Sequence, residues 1–319
     1  MFAFDPVQER AWVLHFEPGD YLRASFLDHR ATQHREISGW VLSRAELDAA
    51  MAGETGRRPL HWLFHIGHCG SSLVSRMLDL IPGVLGLREP LPLLALAHGR
   101  GDPATESWRT PLVSLLARGF PDTRAVVVKP TSVVTTLAPR LLADGGRGCL
   151  LWVDLQTWLA TMLRDNELTS AVLDTEHLRL ASLELDLPAT SDGERVARAW
   201  LAEQLRWQHL AADPEHAPRL LDLDFATFLA DPAASSACLA AHFGLEVPAG
   251  WARMIKDSGL LGRYAKDESV QFDAGERERE LAAAAANHAG AIAAGIAWAE
   301  RAIAQAGTHH LQERLRPRH

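Results

Sequence analysis

The sequence predicts an α/β fold, a parallel sheet covered by helices on both faces. Three observations carry this. Short apolar runs bounded by Gly and Pro recur along the chain and read as buried strands. Each is followed by a turn and then by residues with helical apolar spacing. That strand, turn, helix order repeats several times, as the crossovers of a parallel sheet require. At 319 residues the chain is long enough for one large domain or two smaller ones with a packed core.

Residues 1–58 read as a small mixed α/β segment, and residues 59–319 as the main domain. Trp12–Phe16 reads as a strand and Arg44–Ala52 as a short helix. Ser43 is its N-cap and Glu46, three residues on, completes a capping box, with Asp48 a second acid near the start. Gly53 and Gly56-Arg57-Arg58-Pro59 break the chain. Leu60–Ile66 is short, apolar and aromatic, and reads as the first core strand. Gly67-His68-Cys69-Gly70-Ser71-Ser72 is a turn, after which Leu73, Val74, Met77, Leu78 and Ile81 keep helical spacing up to Pro82. Ala125–Val128, Cys149–Val153 and Arg219–Leu223 are the further strand candidates. A helix follows the second of these from Trp158 to Leu163. Another follows Asp231-Pro232 and ends at Phe243-Gly244, where Gly suits the C′ position. A helical insertion spans roughly 165–215. Arg277–Ala306 is Ala-rich and reads as one long helix, broken near Gly290 or Gly295 if at all, with the last ten residues frayed and polar.

Composition excludes several classes. The chain is 47% hydrophobic and 23% charged, values of an ordinary folded protein rather than a disordered one. Net charge −8 and a pI near 6.0 argue against broad nucleic-acid binding, which needs a basic field. No apolar run approaches the roughly 18 residues of a membrane span. The start, MFAFDPVQER, lacks the pattern of a signal peptide. Three widely spaced cysteines, Cys69, Cys149 and Cys238, fit a reducing cytoplasm better than a disulfide framework.

The turn at 67–72 is the segment with chemistry in it. A strand that passes through a glycine turn into a helix leaves unpaired N–H groups around a concave point, and the helix dipole adds partial positive charge. Gly67 and Gly70 permit close backbone approach, and Ser71 and Ser72 add hydroxyl donors. The ATP-binding form of such a loop ends G-K-[ST]. Here it ends Gly70-Ser71-Ser72 without the lysine, which disfavours an ATPase or an ATP-dependent kinase.

The string FHIGHCGSSLVSRMLDLIPGVLGLREP resembles the sulfotransferase family. That family has a shorter loop: a basic residue, a small residue, Gly, then two Thr or Ser. His68 stands at the basic position, Gly70 at the glycine, and Ser71 and Ser72 at the hydroxyl pair. Val126-Val127-Val128-Lys129-Pro130-Thr131 resembles the family's strand ending in Lys. Leu221–Phe225, Asp231-Pro232 and Phe243-Gly244-Leu245 resemble its late strand, acidic-Pro turn and helix end. The resemblance covers roughly residues 60–250. It implies a P-loop-type parallel sheet and 3′-phosphoadenosine 5′-phosphosulfate as sulfuryl donor.

The resemblance also implies roles. Gly67, His68, Cys69, Gly70, Ser71 and Ser72 would hold the donor, Ser72 bonding its 5′-phosphate. Glu89 stands 21 positions after His68, the spacing of the catalytic glutamate in the tyrosylprotein-sulfotransferase branch, and would be the base. Lys129 resembles that branch's lysine near the bridging oxygen. His68 would add a cation where the family has Lys or Arg. After the third strand the family carries arginine for the 3′-phosphate, whereas here Asp154 follows. Arg164, or Arg263 and Lys266, would replace that contact.

Plainer readings stand beside these. The loop reads also as a tight turn, Glu89 as a solvated acid before Pro90, Lys129 as a surface lysine, and Cys69 as a packed small residue or a reactive thiol. His61, His65 and His68 have the spacing of one helix face, but their neighbours read as a strand, so no metal site is expected. The implied function is sulfuryl transfer to a hydroxyl or amine on a small-molecule or peptide acceptor, without nucleic-acid or membrane partners. The alternatives are a catalytically decayed nucleotide- or anion-binding protein and an ATP-dependent small-molecule kinase.

Overall fold

Strands buried on both faces make the centre of the molecule. The computed structural model describes residues 1–317 apart from 34–35, 54–55, 182, 184, 265–266 and 272–273. Three antiparallel strands, β1 (Ala3–Asp5), β2 (Arg10–Leu14) and β3 (Gly39–Ser43), form a small N-terminal sheet. Five parallel strands form the main sheet: β4 (Leu60–His65), β5 (Val84–Arg88), β6 (Ala125–Lys129), β7 (Gly148–Trp152) and β8 (Leu220–Asp224). Their spatial order is β5-β6-β4-β7-β8. Every residue of β4, β6 and β7 is buried, as expected where helices cover both faces. The α/β class read from the sequence therefore holds.

The order fixes where a site can form. β4 sends the chain toward β5 and β6, whereas β7 sends it toward β8. The connections after β4 and β7 diverge, and in open α/β sheets such a switch point is where a binding crevice forms, beyond the carboxyl ends of the two neighbours.

Several elements differ from the sequence reading. The N-terminal strand is Arg10–Leu14, two residues earlier than expected. β5 was not expected at all. Gly86 interrupts its apolar run, and a Cβ there would lie 2.1 Å from Asp79 Oδ1, so the glycine is required by close packing. The helix at Trp158 starts earlier, at Leu155, because the Asp154 side chain accepts from the Thr157 amide at 2.9 Å. The capping box at Ser43 and Glu46 forms as predicted.

The region 165–215 is helical: Asn166–Asp174, Glu176–Leu180 and Asp192–Ala212. The last of these packs closely on the C-terminal helix, since a Cβ on Gly193 would lie 2.2 Å from the Ala291 carbonyl oxygen. The C-terminal stretch is two helices, Ala274–Asn287 and Ala289–Ala306, meeting at an 85° bend. The break falls at His288, and Gly290 and Gly295 lie inside the second helix. The tail is ordered rather than frayed. Leu311 and Leu315 are buried, and the Leu315 carbonyl accepts from the Gln156 amide. Apolar residues spaced four apart in a polar tail were the signal that composition hid. No single helix among the described residues is long and apolar enough to cross a membrane.

Candidate functional site

β4 delivers the chain into the crevice, and residues 66–70 turn it into the helix Ser71–Leu78. The turn needs three residues at positive φ: Gly67 at +91°, His68 at +51° and Gly70 at +79°. Glycine takes this region freely, whereas His68 sits there at a cost of about 1–3 kcal/mol. Gly70 is required twice over, because a Cβ on it would lie 2.0 Å from Phe225 Cζ.

Gly67 is fixed from both sides. Its amide donates to His65 Nδ1 at 3.0 Å, and its carbonyl accepts from Trp158 Nε1 at 2.9 Å. His65 Nε2 faces the Pro130 carbonyl at 2.8 Å. An imidazole that accepts at Nδ1 and donates at Nε2 is the neutral tautomer. One histidine thus ties the loop after β4 to the end of β6. The sequence reading had weighed His65 only as a metal ligand.

The amides of Cys69, Gly70, Ser71 and Ser72 donate to no carbonyl among the described residues. Those of Cys69 and Ser71 lie near the Cys69 sulfur, a weak acceptor. Ser72 is 5% exposed and its Oγ has no hydrogen-bond partner among the described residues. A buried unsatisfied hydroxyl costs about 1–3 kcal/mol, and a bound oxyanion is the kind of group that satisfies it. Ser71 is equally buried, while His68 is exposed at the rim. Cys69 points its thiol into the core, 3.4 Å from the Leu151 carbonyl oxygen. Burial pushes that thiol up to about 12, so it is a packed residue and not a nucleophile.

Glu89 and Lys129 come together beside the loop. Arg88 and Lys129 are cross-strand neighbours in β5 and β6. Glu89, the next residue, turns out of the strand at φ +51° with its amide on the Lys129 carbonyl at 2.6 Å. Lys129 Nζ donates to Glu89 Oε1 at 2.5 Å. Lys129 is 1% exposed and is therefore no surface lysine. Burial pulls its ammonium below the ordinary lysine value, with the Glu89 carboxylate opposing and the Cys69 thiol close enough to contribute. Of the three non-glycine residues at positive φ among those described, His68 and Glu89 are two. Strained backbone of this kind clusters at functional sites.

The sequence reading missed what approaches Glu89 on its other carboxylate oxygen. Arg88, 1% exposed, donates to Asp79 and to the carbonyls of Tyr21, Leu22 and Ala24. These bonds strap the segment before residue 30 across the end of β5. The strap carries Arg30, whose guanidinium lies 3.4 Å over the Phe26 ring and 3.9 Å from Glu89 Oε2. Only the fold brings residue 30 to residue 89, so no local pattern could reveal the contact.

Arg164, one of the residues expected at the 3′-phosphate, is engaged elsewhere. Asp154 caps the helix Leu155–Leu163, and burial together with nearby Asp224 raises its carboxyl above the usual value. Arg164 pairs with Glu280 at 3.1 Å, at the far end of that helix, about 13 Å from its start. Arg263 opens the short strand Arg263–Tyr264, but its side chain, and Lys266 altogether, lie outside the described residues.

No family model matches the sequence, and no curated protein does. Solved structures similar to this chain include mouse sulfotransferase SULT7A1 complexed with PAP, at 13% identity over 70% of this chain and 74% of that one, with a TM-score of 0.36. The sulfotransferase domain from the curacin biosynthetic pathway is similar at 12% identity over 73% of this chain and 98% of that one, with a TM-score of 0.40. Sulfotransferase STF9 from Mycobacterium avium is similar at 11% identity, 76% and 81% coverage, and a TM-score of 0.39.

Proposed function

We propose that this chain is a sulfotransferase-like enzyme that moves a sulfuryl group from 3′-phosphoadenosine 5′-phosphosulfate to a hydroxyl or amine acceptor. One observation carries the reading. A loop with four amides that serve no carbonyl, and a buried Ser72 hydroxyl without a partner, among the described residues, stands beside a buried Lys129–Glu89 pair. That is a seat for a multiply charged oxyanion next to a cation and a carboxylate. Sulfuryl transfer resembles phosphoryl transfer, in which the protein chiefly positions groups and neutralises charge.

The nucleotide supplies the activated sulfuryl group, and this chain's residues supply the rest. Residues 67–72 seat the 5′-phosphosulfate, with Ser71 and Ser72 donating and His68 at the rim. Lys129 neutralises the leaving phosphate. A phosphate that draws Lys129 away from Glu89 Oε1 leaves that carboxylate able to take the acceptor proton. Arg263 and Lys266 are proposed for the 3′-phosphate on charge alone. Because all three cysteines are free, we place the activity in a reducing compartment, the cytoplasm.

A second reading, nucleotide or anion binding without turnover, is favoured by two observations. No arginine follows β7, where Asp154 serves as a helix cap, and the Phe225 ring closes over Gly70. Thermal-shift titration separates the readings. Stabilisation by 3′-phosphoadenosine 5′-phosphate, about 2.7 kcal/mol at 100-fold excess over Kd, supports a nucleotide site. A response only to ATP with magnesium refutes the donor assignment. Glu89→Gln is expected to abolish turnover while leaving nucleotide affinity within about twofold. Binding without turnover on any acceptor selects the second reading.

A further inference from the structure

A second polar group flanks the loop, outside the motif. Ser132 opens the turn Ser132–Leu137 just after β6, and its Oγ lies 3.2 Å from where a Cβ on Gly67 would be. That Oγ accepts from Arg179 Nη2 at 2.8 Å. Arg179 is 3% exposed, and its other terminal nitrogen donates to Glu203 Oε1 at 2.9 Å. Glu203 is fully buried and also faces Arg206 Nη1 at 3.5 Å. The second terminal nitrogen of Arg206 donates to the Arg179 carbonyl. Two guanidinium groups therefore share one carboxylate, so the cluster behind Ser132 is cationic. Excess buried charge is costly, and an approaching anion relieves it.

The hydrogen-bond inventory of Ser132 adds direction. A hydroxyl that accepts from a guanidinium keeps its own proton to donate, and the cation polarises it. Among the described residues that proton goes to no acceptor. Ser132 is half-buried and follows β6 directly, beside Gly67.

We infer that Ser132 is a further donor to the oxyanion seated by residues 67–72, and that Arg179 is a positioning residue that aims this hydroxyl and places a buried positive charge behind it. The ligand class is a nucleotide carrying a phosphate or sulfate at its 5′ end. The inference rests on the function proposed above.

Isothermal titration of 3′-phosphoadenosine 5′-phosphate into the full chain tests it. Ser132→Ala is expected to weaken binding about ten- to hundredfold, with the unliganded protein still folding cooperatively and its thermal midpoint lowered by only a few °C for the lost Arg179 hydrogen bond. Arg179→Lys, which keeps the charge and loses the planar fork, is expected to weaken binding about tenfold in the wild-type background and not at all in the Ser132→Ala background. A merely structural Arg179 would weaken binding equally in both backgrounds, which overturns its positioning role. Tight binding by wild type with equal binding by Ser132→Ala overturns the inference and leaves the proposed function standing. If wild type does not bind the nucleotide, both fall together. Ser132→Ala alone decides the central point should Arg179→Lys fail to fold.

Discussion

Gly70→Ala probes the turn on which the proposed site depends. Gly70 sits at φ +79°, ψ 9°, the left-handed region. An alanine there costs about 1–2 kcal/mol in backbone strain. Its Cβ would also lie 2.0, 2.2 and 2.5 Å from three carbons of the Phe225 ring. Ordinary carbon contacts are about 3.5–4.0 Å, so the ring must withdraw by well over 1 Å. Phe225 is 5% exposed, stacks on Phe228 at 5.9 Å, and begins a helix capped by Asp224. It has little room to move, and overpacking of this kind costs about 1–3 kcal/mol. The sum is about 2–5 kcal/mol. Urea denaturation followed by circular dichroism and tryptophan fluorescence measures it. A double-mutant cycle with Phe225→Ala separates the two parts: in that background Gly70→Ala should cost only the backbone share, about 1–2 kcal/mol. A single-mutant cost below about 1 kcal/mol, or an identical cost in both backgrounds, would refute the argument.

Other outcomes follow from buried groups. His61 is 6% exposed against Phe243, and burial drives its imidazole down to about 4. The unfolded chain takes up that proton near pH 6.5 and the folded one only near 4, so stability falls as pH drops through this window and is flat above it. The loss is about 3 kcal/mol by pH 4. His242, also lowered by burial, acts in the same direction. Urea midpoints at pH 7 and pH 4.5 measure the slope, and His61→Phe should reduce it. Asp79→Asn leaves buried Arg88 without its carboxylate partner and is expected to cost about 3–5 kcal/mol. The strap before residue 30 should then become sensitive to limited proteolysis, and unchanged protection would refute its dependence on Arg88. Of the free thiols, Cys69 and Cys149 are buried and Cys238 is exposed. Native protein should react with a thiol reagent at one site and denatured protein at three. Leu311→Ala is expected to cost about 2–5 kcal/mol, measured by thermal unfolding, whereas a frayed tail would give almost none.

The loop was readable before any coordinates because its signals are local. Gly67 and Gly70 mark backbone that must turn through positive φ, and Ser71-Ser72 marks a helix start with donors. β4, β6 and β7 were equally legible within a residue or two, since a strand buried on both faces is a continuous apolar run, and β8 was legible at the edge by its leucines despite Asp222 and Asp224. β5 was not, because Gly86 and the charged Arg88 break the run and only their contacts with Asp79 explain them. The tail was misread for the same reason: Leu311 and Leu315 matter through what they pack on, not through their neighbours in sequence.

The sequence by itself determined the α/β class and the glycine turn at 67–72, because strand burial and glycine conformation are properties of short segments, whereas Glu89 and Lys129 were singled out by the family resemblance. The tertiary structure alone decided that Glu89 and Lys129 form a pair, that Arg30 arrives from the N-terminal segment, that Trp158 pins Gly67 and His65 reaches Pro130, and that Ser132 meets the buried Arg179–Glu203–Arg206 cluster. Each of these joins residues far apart in the chain. Burial in the assembled fold removes the water that would otherwise separate such charges and hydroxyls, and no local pattern encodes which partner replaces it.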